Sequence, residues 1–260
     1  MPRDARGLSP KTSEREQRPA ARGMRVRVLA LVLLSGFASL AGLWAVSPPT
    51  AEAAEPTQRW YTITTPHFKV HYYKSVRHDE AAMAQKVARI AERCHRVLVP
   101  IFRHEPSTRT HIVVTDDTDG ANGSAQSIPY NIIRVFLTGP SSRSYLHDYE
   151  DWLLGLIMHE YTHILHMDTI HGLPRVVNAV MGRVWSPNQM QPRWFIEGLA
   201  VHQETKQTSG GRLRTSLFDM TLRAHVLSGK LLRLDQITSN TRIYPRGHVP
   251  YLYGAYFVRY

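Results

Sequence analysis

Cysteine is almost absent: Cys94 stands alone in 260 residues. One thiol can form no intrachain disulfide and no cysteine-based metal site. Its neighbours in a helical period (Ala88, Ile90, Ala91, Val97, Leu98) make it a small core residue. A nucleophile would need surroundings that lower the thiol pKa, and none are visible. Charge is sparse too, at 20% Asp, Glu, Lys and Arg, too little for a disordered chain, while 43% apolar residues suffice for a core. The net charge is +11, yet eight of the 32 basic residues crowd into the first 27 positions. After residue 54 there is no dense Lys/Arg run with interleaved aromatics, which argues against nucleic acid as a partner and for a solvated basic surface. No internal repeat is present.

Long apolar runs are limited to one. Residues 28–46 are uncharged, follow Arg25 and Arg27, and lead to Ser47-Pro48-Pro49 and the small-x-small triplet Ala51-Glu52-Ala53. Basic start, apolar middle and small-residue exit are the layout of a secretory signal peptide. Residues 1–53 are therefore expected to be an N-terminal extension and signal peptide, with Met24 as the more ordinary start. The remainder is expected to be secreted or periplasmic. No cysteine lies at the exit, so a lipoprotein anchor is excluded. The run approaches spanning length, so membrane contact is expected only if it stays uncleaved.

The rest, 54–260, reads as one α+β domain. Residues 59–73 are aromatic and β-branched with a break at Pro66, which predicts two short strands. Ala82, Val87, Ile90, Ala91, Cys94, Val97, Leu98 and Ile101 give a helical period across 79–102. Strands are predicted at 109–115 and 131–138, with a turn-rich loop at 116–124 between them. From Asp148-Tyr149-Glu150, acids suited to a helix start, the pattern turns helical. Leu153, Leu154, Ile157, Met158, Tyr161, Ile164 and Leu165 form one broad apolar face, and 193–206, 214–228 and 251–260 also read as helices. The sequence stops at Phe257-Val258-Arg259-Tyr260 inside an amphipathic pattern, so the domain is expected to be truncated there.

The chemistry lies in His159-Glu160-Tyr161-Thr162-His163. Residues four apart stack on one helix face, so two imidazoles can reach one Zn²⁺, and Glu160 beside them can take a proton from a metal-activated water. A catalytic zinc needs a third protein ligand. A metzincin layout would place Gly at 166 and His or Asp at 169, but the residues are His166 and Thr169. A gluzincin layout takes a Glu from a later helix, and Arg193-Trp194-Phe195-Ile196-Glu197-Gly198-Leu199-Ala200 offers one. An acid among such apolar neighbours is costly to bury unless paired or metal-bound.

HEYTH followed by WFIEGLA resembles the peptidase MA-like gluzincin families of bacteria, over about residues 59–260. The resemblance implies a zincin-like fold, with a strand-rich N-terminal lobe, a helical C-terminal lobe and zinc between them. It implies His159, His163 and Glu197 as ligands, Glu160 as base and a peptide or protein substrate. It also suggests a Tol-type β-propeller following the domain, as in some relatives. The strand at 131–138 would be the edge on which an extended peptide is laid. Thermolysin-like enzymes place an acid four residues after the ligand Glu to orient the first His. Here that position is Val201, so support must come from elsewhere, with Asp168 one candidate. Tyr251, Tyr253 and His248 are candidate oxyanion donors from a segment similar to the family's late Tyr-x-x-Gly region, and Tyr253 is the one chosen. The expected function is a zinc-dependent endopeptidase. The alternative, motivated by Val201 and the abrupt end, is a zincin-fold binding or scaffold module with little hydrolysis.

Overall fold

The computed structural model describes residues 58–74, 79–116, 118–141, 151–238, 242 and 244–260. They fall within one compact unit, Thr57–Tyr260. The expected signal segment, its exit triplet and the acids at 148–150 lie outside the described residues.

Alternation builds the strands. In β3 (Thr110–Thr115) Thr110, Ile112 and Val114 are buried while the residues between them are less so. With β1 (Arg59–Thr64), β2 (Phe68–Lys74), β4 (Gly123–Gln126) and β5 (Ile132–Phe136) it forms a five-stranded sheet of order β1-β2-β3-β5-β4. The two central pairings, β2 with β3 and β3 with β5, are parallel. The outer pairings are antiparallel. The strand predicted at 131–138 is therefore internal, and that edge belongs to β4, which begins at the end of the segment read as a loop and runs two residues past it.

Helix α1 (Ala81–Phe102) crosses from β2 to β3. It ends where Arg103 turns left-handed at φ 50°. Its buried Val87, Ile90, Ala91, Cys94 and Leu98 pack on the sheet side of the core. Burial pushes the Cys94 thiol up to about 12, which suits a packing role.

Helix α2 (Trp152–Asp168) begins at Asp151, whose carboxylate accepts from the Leu154 amide. It is buried all round from Leu153 to Asp168. One apolar face was expected. The whole circumference is covered because α1, β4 and β5 pack against the helix on one side and α4 (Arg193–Gln207) on the other. Burial all round means that each polar side chain on α2 needs a partner or a ligand.

Helix α3 (Gly172–Met181), which the sequence reading did not identify, buries none of its residues. Helices α5 (Ser216–Leu227), α6 (Leu234–Thr238) and α7 (Val249–Arg259) complete seven α-helices among the described residues. They close a second, smaller core of Phe218, Ile237, Val249, Leu252 and Tyr253. The molecule is thus mixed α+β, with strands in the N-terminal half and all helices but α1 after them.

The crossing of α4 and α7 is set by two glycines. A Cβ on Gly198 would strike the backbone of Gly254, and one on Gly254 would strike the Trp194 carbonyl. The two backbones therefore touch, and Glu197, next to Gly198, is held at a fixed height against α7.

Candidate metal centre

Helix periodicity places His159 and His163 one turn apart on α2, with Nε2 atoms 3.1 Å apart. Glu197 Oε2, from α4, stands 3.5 Å from His159 Nε2 and 3.3 Å from His163 Nε2. Three donor atoms from two helices thus face one point. Four ligands at zinc's usual bond length of about 2.05 Å stand about 3.3–3.4 Å from one another, which these separations match. Glu197 Oε2 is buried and has no hydrogen-bond partner in good geometry, so an anionic oxygen is aimed between two imidazoles. The donor set and its spacing fit a zinc ion.

Charge sets the protonation of this cluster. Burial opposes ionisation of Glu197, but its contacts with His159 and His163 hold it well below the usual carboxylate range. Burial and Arg212 both disfavour a charged His159, yet Glu197 and Glu204 outweigh them and lift its pKa to about 9.

Glu204 is the residue that sequence reasoning missed. Its Oε2 accepts from His159 Nδ1 at 2.8 Å, which leaves Nε2 turned to the centre. It is fully buried, and removing a charge from water costs several kcal/mol unless partners replace the solvent. Arg212 supplies them: Nε and Nη2 each donate to a Glu204 oxygen at 2.9 Å. Burial raises the Glu204 carboxyl, but Arg212 and His159 prevail and hold it down at about 2. The signal was present but misread, since Glu204 lies seven residues beyond Glu197, two turns along one face, rather than four. No local pattern marks Arg212, which follows Gly210-Gly211 in a short 3₁₀ turn, Arg212–Arg214.

Asp168 is not a solvated helix-end acid, nor does it reach His159. It is buried and bound to Arg183 at 2.6 Å and His104 at 2.8 Å. Tyr253, chosen as oxyanion donor, lies in the second core, with its hydroxyl on His225 Nδ1 at 2.6 Å and the Leu232 amide at 3.3 Å. The tyrosine at the centre is Tyr251, whose ring stacks 6.1 Å from His159 and beneath the Arg212 and Arg193 guanidiniums. Burial, then the charge of Glu197, pushes its hydroxyl up to about 12, so it keeps its proton at neutral pH.

The centre opens into a cleft of 690 Å³. Glu160, Arg193, His248 and Tyr251 line one part of it, and β4 lines another through Gly123 to Ala125. Gly123 is needed there: a Cβ would sit 2.8 Å from Leu156 Cδ1 and 3.2 Å from Glu160 Cγ. Strand β4 therefore packs directly against Glu160 at Gly123.

No protein-family model and no curated protein sequence matches the chain. Among solved structures, an aminopeptidase N family protein from Idiomarina loihiensis is similar with a TM-score of 0.34 and 16% identity, over 56% of this chain and 24% of that one. The chain thus spans about a quarter of that protein's length.

Proposed function

We propose that this chain is a zinc-dependent endopeptidase, with His159, His163 and Glu197 holding the ion and Glu160 as general base. The observation that carries the reading is the convergence of His159 Nε2, His163 Nε2 and an otherwise unpartnered Glu197 oxygen at tetrahedral spacing, next to a lining carboxylate. A zinc ion held there would supply Lewis acidity and bring the pKa of a water down toward neutral.

The chain's own groups supply the rest. Glu160 takes the proton of the attacking water and passes it to the leaving amine. Tyr251, protonated and cradled by Arg193 and Arg212, donates to the oxygen that gains charge, with His248 beside it. The β4 edge offers unpaired backbone groups on which an extended peptide adds as one more strand. Export by the segment at 28–46 belongs to the same proposal. Among the described residues no helix is long and apolar enough to cross a membrane. The scaffold alternative loses a motive, because Glu204 does what an acid at 201 would have done.

The test compares wild type with Glu160→Gln, measuring zinc by mass spectrometry and cleavage of a casein or peptide-library substrate. Equal zinc in both and a fall in turnover of about 10²–10⁴ in the variant support the reading. Undiminished turnover, or a folded, metal-reloaded wild type without zinc, would sink it.

A further inference from the structure

A second group of metal-ligand type lies against the other side of α2. His67 follows Pro66 in the β1–β2 turn, His95 is on α1, and Glu105 is in the loop after α1. Three segments distant in sequence meet at the wall of a 720 Å³ cavity. Each imidazole is anchored through Nδ1. His67 Nδ1 donates to Glu92 Oε2 at 2.7 Å, and the other Glu92 oxygen accepts from the His67 amide at 3.0 Å. His95 Nδ1 lies 2.8 Å from the Tyr161 hydroxyl. Both Nε2 atoms then face one carboxylate oxygen, Glu105 Oε1, at 3.8 and 4.0 Å. Packing alone explains a stack of two rings. It does not explain why both Nδ1 atoms are tied back while both Nε2 atoms share a carboxylate. That arrangement is how proteins orient metal-binding histidines.

We propose that His67, His95 and Glu105 form a second binding site for a divalent transition-metal ion, distinct from the HExxH centre. Two imidazoles and one carboxylate suit zinc or nickel rather than calcium or magnesium. Tyr161 links the sites: it lies about 160–200° around α2 from His159 and His163, and its hydroxyl holds His95. Binding requires two adjustments. The rings are stacked, with centroids 3.6 Å apart and planes at 16°, so their lone pairs run side by side. The His67 ring, about one third exposed, must tilt out of the stack, and the exposed Glu105 must close by about half an ångström to reach zinc's spacing. His95 is buried and stays in place. The site therefore binds more weakly than the HExxH centre. Its occupancy clamps the β1–β2 turn and the loop after α1 onto the helix that carries His159 and His163.

The experiment titrates the chelator-stripped full chain with zinc by calorimetry, beside Glu197→Ala, His67→Ala and Glu105→Gln. Wild type takes up two equivalents, one tight and one weaker. Glu197→Ala loses the tight one and keeps the weaker. His67→Ala and Glu105→Gln lose the weaker and keep the tight one. Glu105 is mostly exposed, so its variant reports even if the His67 variant misfolds. A single equivalent in wild type, or a second one that survives Glu105→Gln, overturns the proposal.

Discussion

His159 Nδ1 stands 2.8 Å from Glu204 Oε2, and that contact decides which ring nitrogen faces the cleft. Glu204 is in turn gripped by Arg212 through both carboxylate oxygens. Replacing Glu204 by Gln keeps the shape but removes the charge that polarises the imidazole. Zinc affinity is expected to fall 10–100-fold, read by competition with a chromophoric chelator. Glu204→Ala also strips Arg212 of its bidentate partner in a buried setting. It should destabilise the fold by about 3–5 kcal/mol in denaturant melts, and Glu204→Gln, with one oxygen for two Arg212 donors and no charge, recovers only part of that.

The α4–α7 crossing carries a different prediction. Gly254→Ala places a methyl group against the Trp194 carbonyl, a backbone atom that cannot swing away. Helix separation must grow, and Glu197 moves with α4. The expected cost is about 2–3 kcal/mol, or about 5–10 °C in Tm, together with weaker zinc binding. Gly139→Ala, where nothing lies within 4 Å of the new carbon, should leave both unchanged. Equal Tm for the two variants would mean that the helices are not held by this contact.

Residues whose environment repeats along the chain were legible in the sequence. A run of β-branched residues in Thr110–Thr115 marked β3, and four-residue spacing placed His159 beside His163. Strand β4 was not legible: Gly123-Ser124-Ala125-Gln126 has little intrinsic strand preference, and it is a strand only because β5 pairs with it. Helix α3 was missed although Leu173, Val176, Val177, Val180 and Met181 recur at helical spacing, and the structure buries none of them. Tyr251 and Tyr253 share one helix, and two positions apart they point to nearly opposite faces. Periodicity groups them into one helix without saying which face meets the cleft.

That difference can be measured. Tyr251→Phe removes a proton donor that lies over His159, and kcat should fall about 10²–10³-fold with the fold intact. Tyr253→Phe removes the partner of His225 Nδ1 and of the Leu232 amide. It should cost about 1–2 kcal/mol of stability and leave kcat unchanged below the melting range. The reverse pattern would return the oxyanion role to Tyr253.

The pH dependence of metal uptake tests the electrostatics of the whole cluster. In the metal-free chain burial and Arg212 disfavour a charged His159, but Glu197 and Glu204 win and raise its pKa from the ordinary 6.5 to about 9. At pH 7 this imidazole therefore holds a proton that a zinc ion must displace, whereas Glu197 is already ionised. Calorimetry in buffers of differing ionisation enthalpy should show close to one proton released from the tight site per zinc at pH 7–8. Apparent affinity should climb about tenfold per pH unit and level off only near pH 9. A His159 titrating at its ordinary value would level off above about pH 6.5 and release almost no proton at pH 8. Glu204→Gln should shift the profile that way, because one of the two carboxylates that lift the imidazole is gone. If instead the variant and the wild type share one profile, Glu197 alone sets the charge of the site, and Glu204 orients His159 without tuning it.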